Sequence, residues 1–296
     1  MIDFTSVKQQ TRILGGMYAH AEKWLSWLGV GVASLTGAMV LVALAATPEP
    51  AKSDRIVIEY VIPTNPALKP IYDILRDKKA LERLRELLLP VKWPRPLRLE
   101  LRDCHGESNA GYEDAAITVC YELLDDFWRS AADSGRPPAI TREDAFVGQS
   151  MNVFLHEAAH ALFRLFKIPL LGQEEDAADQ LSGYFLLQLP SEKKRNLILG
   201  SAYAFASQLK IRSPRDLNRP RLEIGRHVTF ADEHGTPAQR LYSLLCLAYG
   251  SDKKLFADIV EKGFLPKERA EICSEEYSQI DFAYRTLIAP HVDASP

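Results

Sequence analysis

The chain has 296 residues, 36 Lys+Arg against 39 Asp+Glu, a formal net charge of -3, and 47% hydrophobic and 25% charged residues. That apolar fraction at so small a net charge excludes a disordered chain, and the ordinary counts of 16 Gly and 18 Pro exclude a collagen-like one. A sequence pI of about 6.2 argues against the basic surface of a dedicated nucleic-acid binder, and no repeat at periods of roughly 20–50 residues signals a solenoid or propeller.

The first element is apolar. Residues 24–46, WLSWLGVGVASLTGAMVLVALAA, run for 23 positions without a charge, Asn, Gln or His. A helix of that length crosses a hydrocarbon core of about 30 Å with some tilt. Lys8, Arg12 and Lys23 precede it, and the positive-inside rule keeps their side cytoplasmic. The chain therefore divides into a cytoplasmic leader at 1–23, a transmembrane anchor at 24–46, a Pro-bearing linker at 47–54 and one domain at 55–296. A cleaved signal peptide is the rival interpretation, because Ala43-Leu44-Ala45 has the small-x-small form of a cleavage site. Either way the domain is expected outside the cytosol, periplasmic or extracellular, held at the membrane or secreted. The four cysteines, Cys104, Cys120, Cys246 and Cys273, are an even number suited to an oxidising compartment. Sequential pairing, Cys104–Cys120 and Cys246–Cys273, closes short loops; four buried free thiols are the alternative.

Beyond the linker, Arg55–Val61 alternates as a strand. Residues 66–89 carry helical spacing through Leu68, Ile71, Leu75, Leu81, Leu84 and Leu88, ending before Pro90. Leu97–Arg102 has strict period two, Gly106–Gly111 is a loop, and Ala116–Tyr121 is a third strand. The second and third strands are expected to pair as a hairpin, drawing Cys104 toward Cys120. Helices follow at Leu123–Ser134, at Thr141–Phe166 behind a Thr141/Asp144 capping box, and at Glu174–Leu189, Glu192–Leu209, Thr236–Tyr249 and Leu265–Ile288. Strands early and helices late predict an α+β fold.

The chemistry concentrates in HEAAH, His156 to His160. Helical residues four apart share a face, so both imidazoles can meet one ion. Glu157 lies about 100° around the axis from His156, beside such an ion and placed to take a proton from its water. A catalytic zinc needs a third protein ligand and an open position. Glu175, in the stretch EEDAAD beyond a Pro169/Gly172 turn, suits that role, and Asp179 one turn later can receive the free ring N–H of a ligand His. Glu174 and Asp176 are expected to be solvated, with Glu174 the fallback ligand.

HExxH followed by Glu-xxx-Asp on a second helix resembles the gluzincin metallopeptidases. More narrowly, the chain is similar to the bacterial metallopeptidase family DUF4344 through CHGESNAGY (104–112), ITVCYEL (117–123), FLHEAAHAL (154–162), GQEEDAADQL (172–181) and FADEHGTPAQRLYSLLCLAYGSD (230–252). The resemblance implies a zincin-like fold, with a small early sheet over the HExxH helix and a mainly helical C-terminal half. It implies one catalytic Zn2+ at His156, His160 and Glu175, with Glu157 catalytic, and it implies no particular substrate. The short connection from His160 to Glu175 departs from better-known gluzincins and leaves open how much room there is for an extended polypeptide.

The expected activity is hydrolysis of peptide bonds by a metal-activated water with Glu157 as general base, on a peptide or protein substrate and with no nucleic-acid partner. The oxyanion needs a donor, for which His234 is the first candidate, with Arg240 and Tyr242 in the same segment. Asn109 and Tyr112 line the site only if the neighbouring strand is the edge that receives substrate. Two alternatives stay open: a non-catalytic zinc-containing binding protein, and a zinc amidohydrolase acting on cell-wall amides.

Overall fold

Ile56, Ile58 and Tyr60 alternate with the exposed Val57 and Glu59, so strand β1 (Ile56–Tyr60) covers one face only. It runs parallel to β2 (Leu97–Arg102), whose Leu97, Leu99 and Leu101 are fully buried. The computed structural model describes residues 55–131, 140–209 and 233–293, all within one compact unit, Glu49–Pro296. The sequence positions 1–54, including the expected anchor at 24–46, lie outside the described residues. Among the described residues no helix is long and apolar enough to cross a membrane.

The sheet corrects one expectation. Strands β2 and β4 (Ala116–Cys120) adjoin, but they are parallel, not a hairpin. The hairpin partner of β4 is β3 (Ala110–Glu113), which begins inside the stretch expected to be a loop, and the sheet order is β1-β2-β4-β3. A strand can return parallel to its neighbour only after two reversals, and β3 supplies the intermediate leg. Its turn to β4 is made by Asp114 and Ala115, both left-handed at φ 48° and 60°. Two consecutive positive φ values are what a two-residue hairpin loop requires, and without a glycine there the turn carries no conventional signal. The disulfide Cys104–Cys120 joins the ends of the two parallel strands.

Residues 66–89 form two helices in place of one, α1 (Lys69–Asp77) and α2 (Ala80–Leu88), behind a single 3-10 turn at Pro66–Leu68. Lys79 turns left-handed between them, at φ 53°. The bend lets Ile71 and Leu75 on one helix, and Leu81, Leu84 and Leu88 on the other, all reach the core.

Helix α3 (Tyr121–Ser130) follows β4 directly. The central helix is α4 (Arg142–Phe166), opened by the expected capping box: Asp144 N–H donates to Thr141 Oγ1 at 3.0 Å, and Thr141 N–H donates to Asp144 Oδ2 at 3.1 Å. It packs against α5 (Glu174–Leu187) and α6 (Ser191–Gln208). The α4–α6 crossing is backbone on backbone. A Cβ on Gly200 would stand 2.3 Å from the Asp144 carbonyl oxygen, and one on Gly148 2.7 Å from Gly200 Cα.

Helix α7 (Pro237–Ser251) lies on α5 and α6. The expected single helix over 265–288 is divided into α9 (Lys267–Ala270), after the short α8 (Ala257–Glu261), and α10 (Cys273–Ala283), which ends in a π turn at Tyr284–Ile288. The break coincides with Cys273, bonded to Cys246 of α7, and Gly250 of α7 faces the Cys273 carbonyl so closely that a Cβ would approach it to 2.1 Å. The start of α10 is thus pinned to α7. The result is an α+β arrangement, a four-stranded sheet and a mainly helical remainder.

Candidate metal centre

The 25-residue capped helix α4 places His156 and His160 one turn apart, and both are about 95% buried. Lys167 ends α4 in the left-handed region, and a short connection then starts α5 beside it with an acidic first turn, Glu174, Glu175 and Asp176. Ala178 is fully buried and Ala177 packs on the core, so small side chains stand where α5 meets α4.

The Nε2 atoms of His156 and His160 are 3.1 Å apart. Glu175 Oε2 lies 2.9 Å from His156 Nε2, and Glu175 Oε1 lies 3.4 Å from His160 Nε2. One donor atom from each of these three side chains falls within 4.8 Å of the others. The opposite ring nitrogens point at acceptors: His156 Nδ1 is 2.9 Å from Asp179 Oδ1, and His160 Nδ1 is 2.7 Å from Glu174 Oε1. A carboxylate accepts, so a proton on each Nδ1 satisfies the outer pair and leaves each Nε2 able to present a lone pair to an ion. In that tautomer two lone pairs and a carboxylate aim at one point, an arrangement that suits a cation. The residues therefore fit a metal ion.

The family model for DUF4344, described as "Putative metallopeptidase", matches residues 60–288. The chain belongs to DUF4344. No curated protein and no solved structure matches it.

In this DUF4344 chain, electrostatics follow from the convergence. With no metal, burial disfavours a charged His156, but the hydrogen bonds to Asp179 and Glu175 outweigh burial and raise its pKa to about 9. The same bond to His156 holds the Glu175 carboxyl down at about 2, against its partial burial. Burial also opposes ionisation of Asp179, yet His156 and Arg240 together keep its pKa below the ordinary range. Arg240, on α7, grips Asp179 with both arms of its guanidinium, Nε to Oδ2 at 2.6 Å and an Nη to Oδ1 at 2.7 Å, and lies over the Phe205 ring.

Glu157 is 7% exposed, and among the described residues its carboxylate makes no hydrogen bond. Burial raises its pKa, while His156, His160 and His234 pull the other way, which places its carboxyl within their field. A buried base with a raised pKa suits proton transfer. His234 Nε2 is 2.9 Å from Glu175 Oε2, and its ring stacks on His156 with centroids 6.0 Å apart. His234 also lines a polar cleft of about 530 Å³ with Gln173, Asp176, Gln180, Gln239 and Ser243.

Of the remaining candidates, Arg240 lines the cleft while paired with Asp179, and Tyr242 is not among the residues that line it. The Asn109 side chain caps its own turn by accepting from Ala110 N–H at 2.9 Å. Tyr112, on β3, sits under the guanidinium of Arg164, 5.9 Å from the ring centroid. Glu174, expected to be solvated, bonds both His160 and Arg164 (Nε to Oε1, 3.1 Å). Arg164 lies one turn beyond His160 on α4, a helical spacing that was visible in the sequence.

Proposed function

We propose that this domain hydrolyses peptide bonds with one Zn2+ held by His156, His160 and Glu175. The observation that supports it most is the opposed orientation of each imidazole, with Nε2 toward the shared point and Nδ1 on a carboxylate. Two neutral imidazoles and a carboxylate are a donor set that suits zinc, and three protein ligands leave a position for water or substrate. Zinc in that place supplies Lewis acidity and a water acidic near neutral pH.

The chain's own groups do the rest. Glu157, buried and inclined toward its neutral form, takes the proton of the attacking water and passes it to the leaving amine. His234, half-exposed at the rim beside Glu175, donates to the oxyanion that develops on the former carbonyl. Asp179 holds His156 in the ligating tautomer. Substrate reaches the centre along the polar cleft bounded by α5 and α7, and the sheet and α4 together make the framework zincin-like. Two disulfides support an extracytoplasmic setting, with residues 24–46 as the membrane attachment or the cleaved leader.

Metal analysis and cleavage assays on the purified full chain test this. About one zinc per chain and peptide cleavage are the expected results, and Glu157→Gln should retain the zinc and lose the cleavage. Zinc without hydrolysis of peptides or cell-wall fragments would make it a binding protein. Cleavage of cell-wall amides alone would make it an amidohydrolase.

A further inference from the structure

The two histidines are backed in the same way on opposite sides. On one side Arg240 grips Asp179, which accepts from His156 Nδ1. On the other Arg164 Nε donates to Glu174 Oε1, and the same oxygen accepts from His160 Nδ1 at 2.7 Å. The geometry points to Glu174 as a second positioning carboxylate, fixed by Arg164, that sets the tautomer and ring orientation of His160. This rests on the metal reading of His156, His160 and Glu175.

Three observations carry it. Glu174 Oε1 reaches the ring nitrogen that faces away from the shared point, so it serves His160 from behind while the neighbouring Glu175 faces the centre. His160 is buried, so losing this acceptor would leave a ring N–H unsatisfied in a place water reaches poorly. Arg164, in turn, lies over Tyr112 of the edge strand β3, which ties the orientation of one ligand to the sheet. The two arms are unequal: the Asp179 and Arg240 side chains are 16% and 21% exposed, those of Glu174 and Arg164 35% and 57%. The Glu174 arm is therefore more strongly screened by solvent and salt. An acidic residue at the start of a helix also stabilises the helix through its dipole, so thermal stability alone does not separate the two roles.

Zinc affinity does. The full chain, its Glu174→Ala, Glu174→Gln, Glu175→Ala and Asp179→Ala variants are titrated with zinc against a chromogenic chelator, and the Co2+-loaded forms are examined by visible absorption. Loss of an orienting partner of this kind costs roughly 10–100-fold in affinity. Glu174→Ala should fall in that range with an altered Co2+ spectrum, Glu174→Gln should recover much of the loss because its amide oxygen still accepts, and Glu175→Ala should lose stoichiometric binding. Affinity of Glu174→Ala within about twofold of the parent overturns the proposal, as does abolished binding in Glu174→Ala with binding kept in Glu175→Ala, which makes Glu174 the ligand. Failure of the parent chain to bind zinc at all overturns the metal reading itself, and is seen before any variant is compared.

Discussion

His156 Nε2 and His160 Nε2 stand 3.1 Å apart with Glu175 Oε2 2.9 Å from the first of them. In the metal-free chain a single proton satisfies this contact, and a cation held by both imidazoles would take its place. Truncating either imidazole to Ala should abolish stoichiometric zinc binding, measured by metal analysis after dialysis, with the fold retained by circular dichroism. A variant that still carries one tightly held zinc would remove that residue from the ligand set.

Glu157 is the contrasting case, buried beside the histidines but outside the His156, His160 and Glu175 group that could hold an ion. Glu157→Gln should keep zinc affinity within a few-fold and lower kcat by at least about a hundredfold, the usual scale of a lost general base. Single-turnover cleavage of a peptide library reads this directly; an unchanged kcat would exclude Glu157 as the base.

The pH dependence has a definite sign. In the metal-free chain the His156 pKa rises from 6.5 to about 9, so its charged form stabilises the folded state fully below about pH 6.5, and that contribution vanishes as pH climbs through about 9. The Tm of chelator-treated protein should therefore decline over this interval, and His156→Gln should flatten the decline. Zinc binding must displace that proton, so calorimetry near pH 7.5 in buffers of different ionisation enthalpy should register release of about one proton. The lowered carboxyls of Glu175 and Asp179 act in the acid range: their stabilisation is present above the ordinary carboxylate pKa and disappears as pH falls, for Glu175 through about 2.

The α4–α6 crossing leaves no space for a methyl group. Gly200→Ala puts a Cβ 2.3 Å from the Asp144 carbonyl oxygen, and forced separation of packed backbone costs about 1–3 kcal/mol. Denaturant unfolding should show a lower midpoint at an unchanged slope. A midpoint equal to the parent's would mean the helices move apart freely.

Both cysteine pairs are disulfides, and no described cysteine is free. Thiol labelling of the denatured, unreduced chain should find none. Replacing Cys246 and Cys273 together by Ser should cost roughly 2–4 kcal/mol of stability by releasing α10 from α7.

Much of the site was legible because a helix converts sequence spacing into direction. His156, His160 and Glu157 acquire their relative positions from α4 alone, and Glu175 and Asp179 acquire theirs from α5. The capping box at Thr141 and the Pro at the start of α7 likewise depend on neighbours within one turn, and both occur where the local signals put them. The strand pairing was not legible in the same way. Whether β2 and β4 run parallel or antiparallel depends on an intervening strand of four residues and on a left-handed Asp114-Ala115 turn, neither of which alters the apolar pattern.

By itself, then, the sequence determined which residues share a helix face and which cysteines lie close along the chain, since both follow from covalent connectivity and helical pitch. Only the tertiary structure decided the partners that arrive from elsewhere: Arg240 on Asp179 from 61 positions downstream, His234 on Glu175, and Glu174 behind His160 instead of in solvent. Those contacts are set by how α4, α5 and α7 pack, and packing is a property of buried surfaces that no single segment contains.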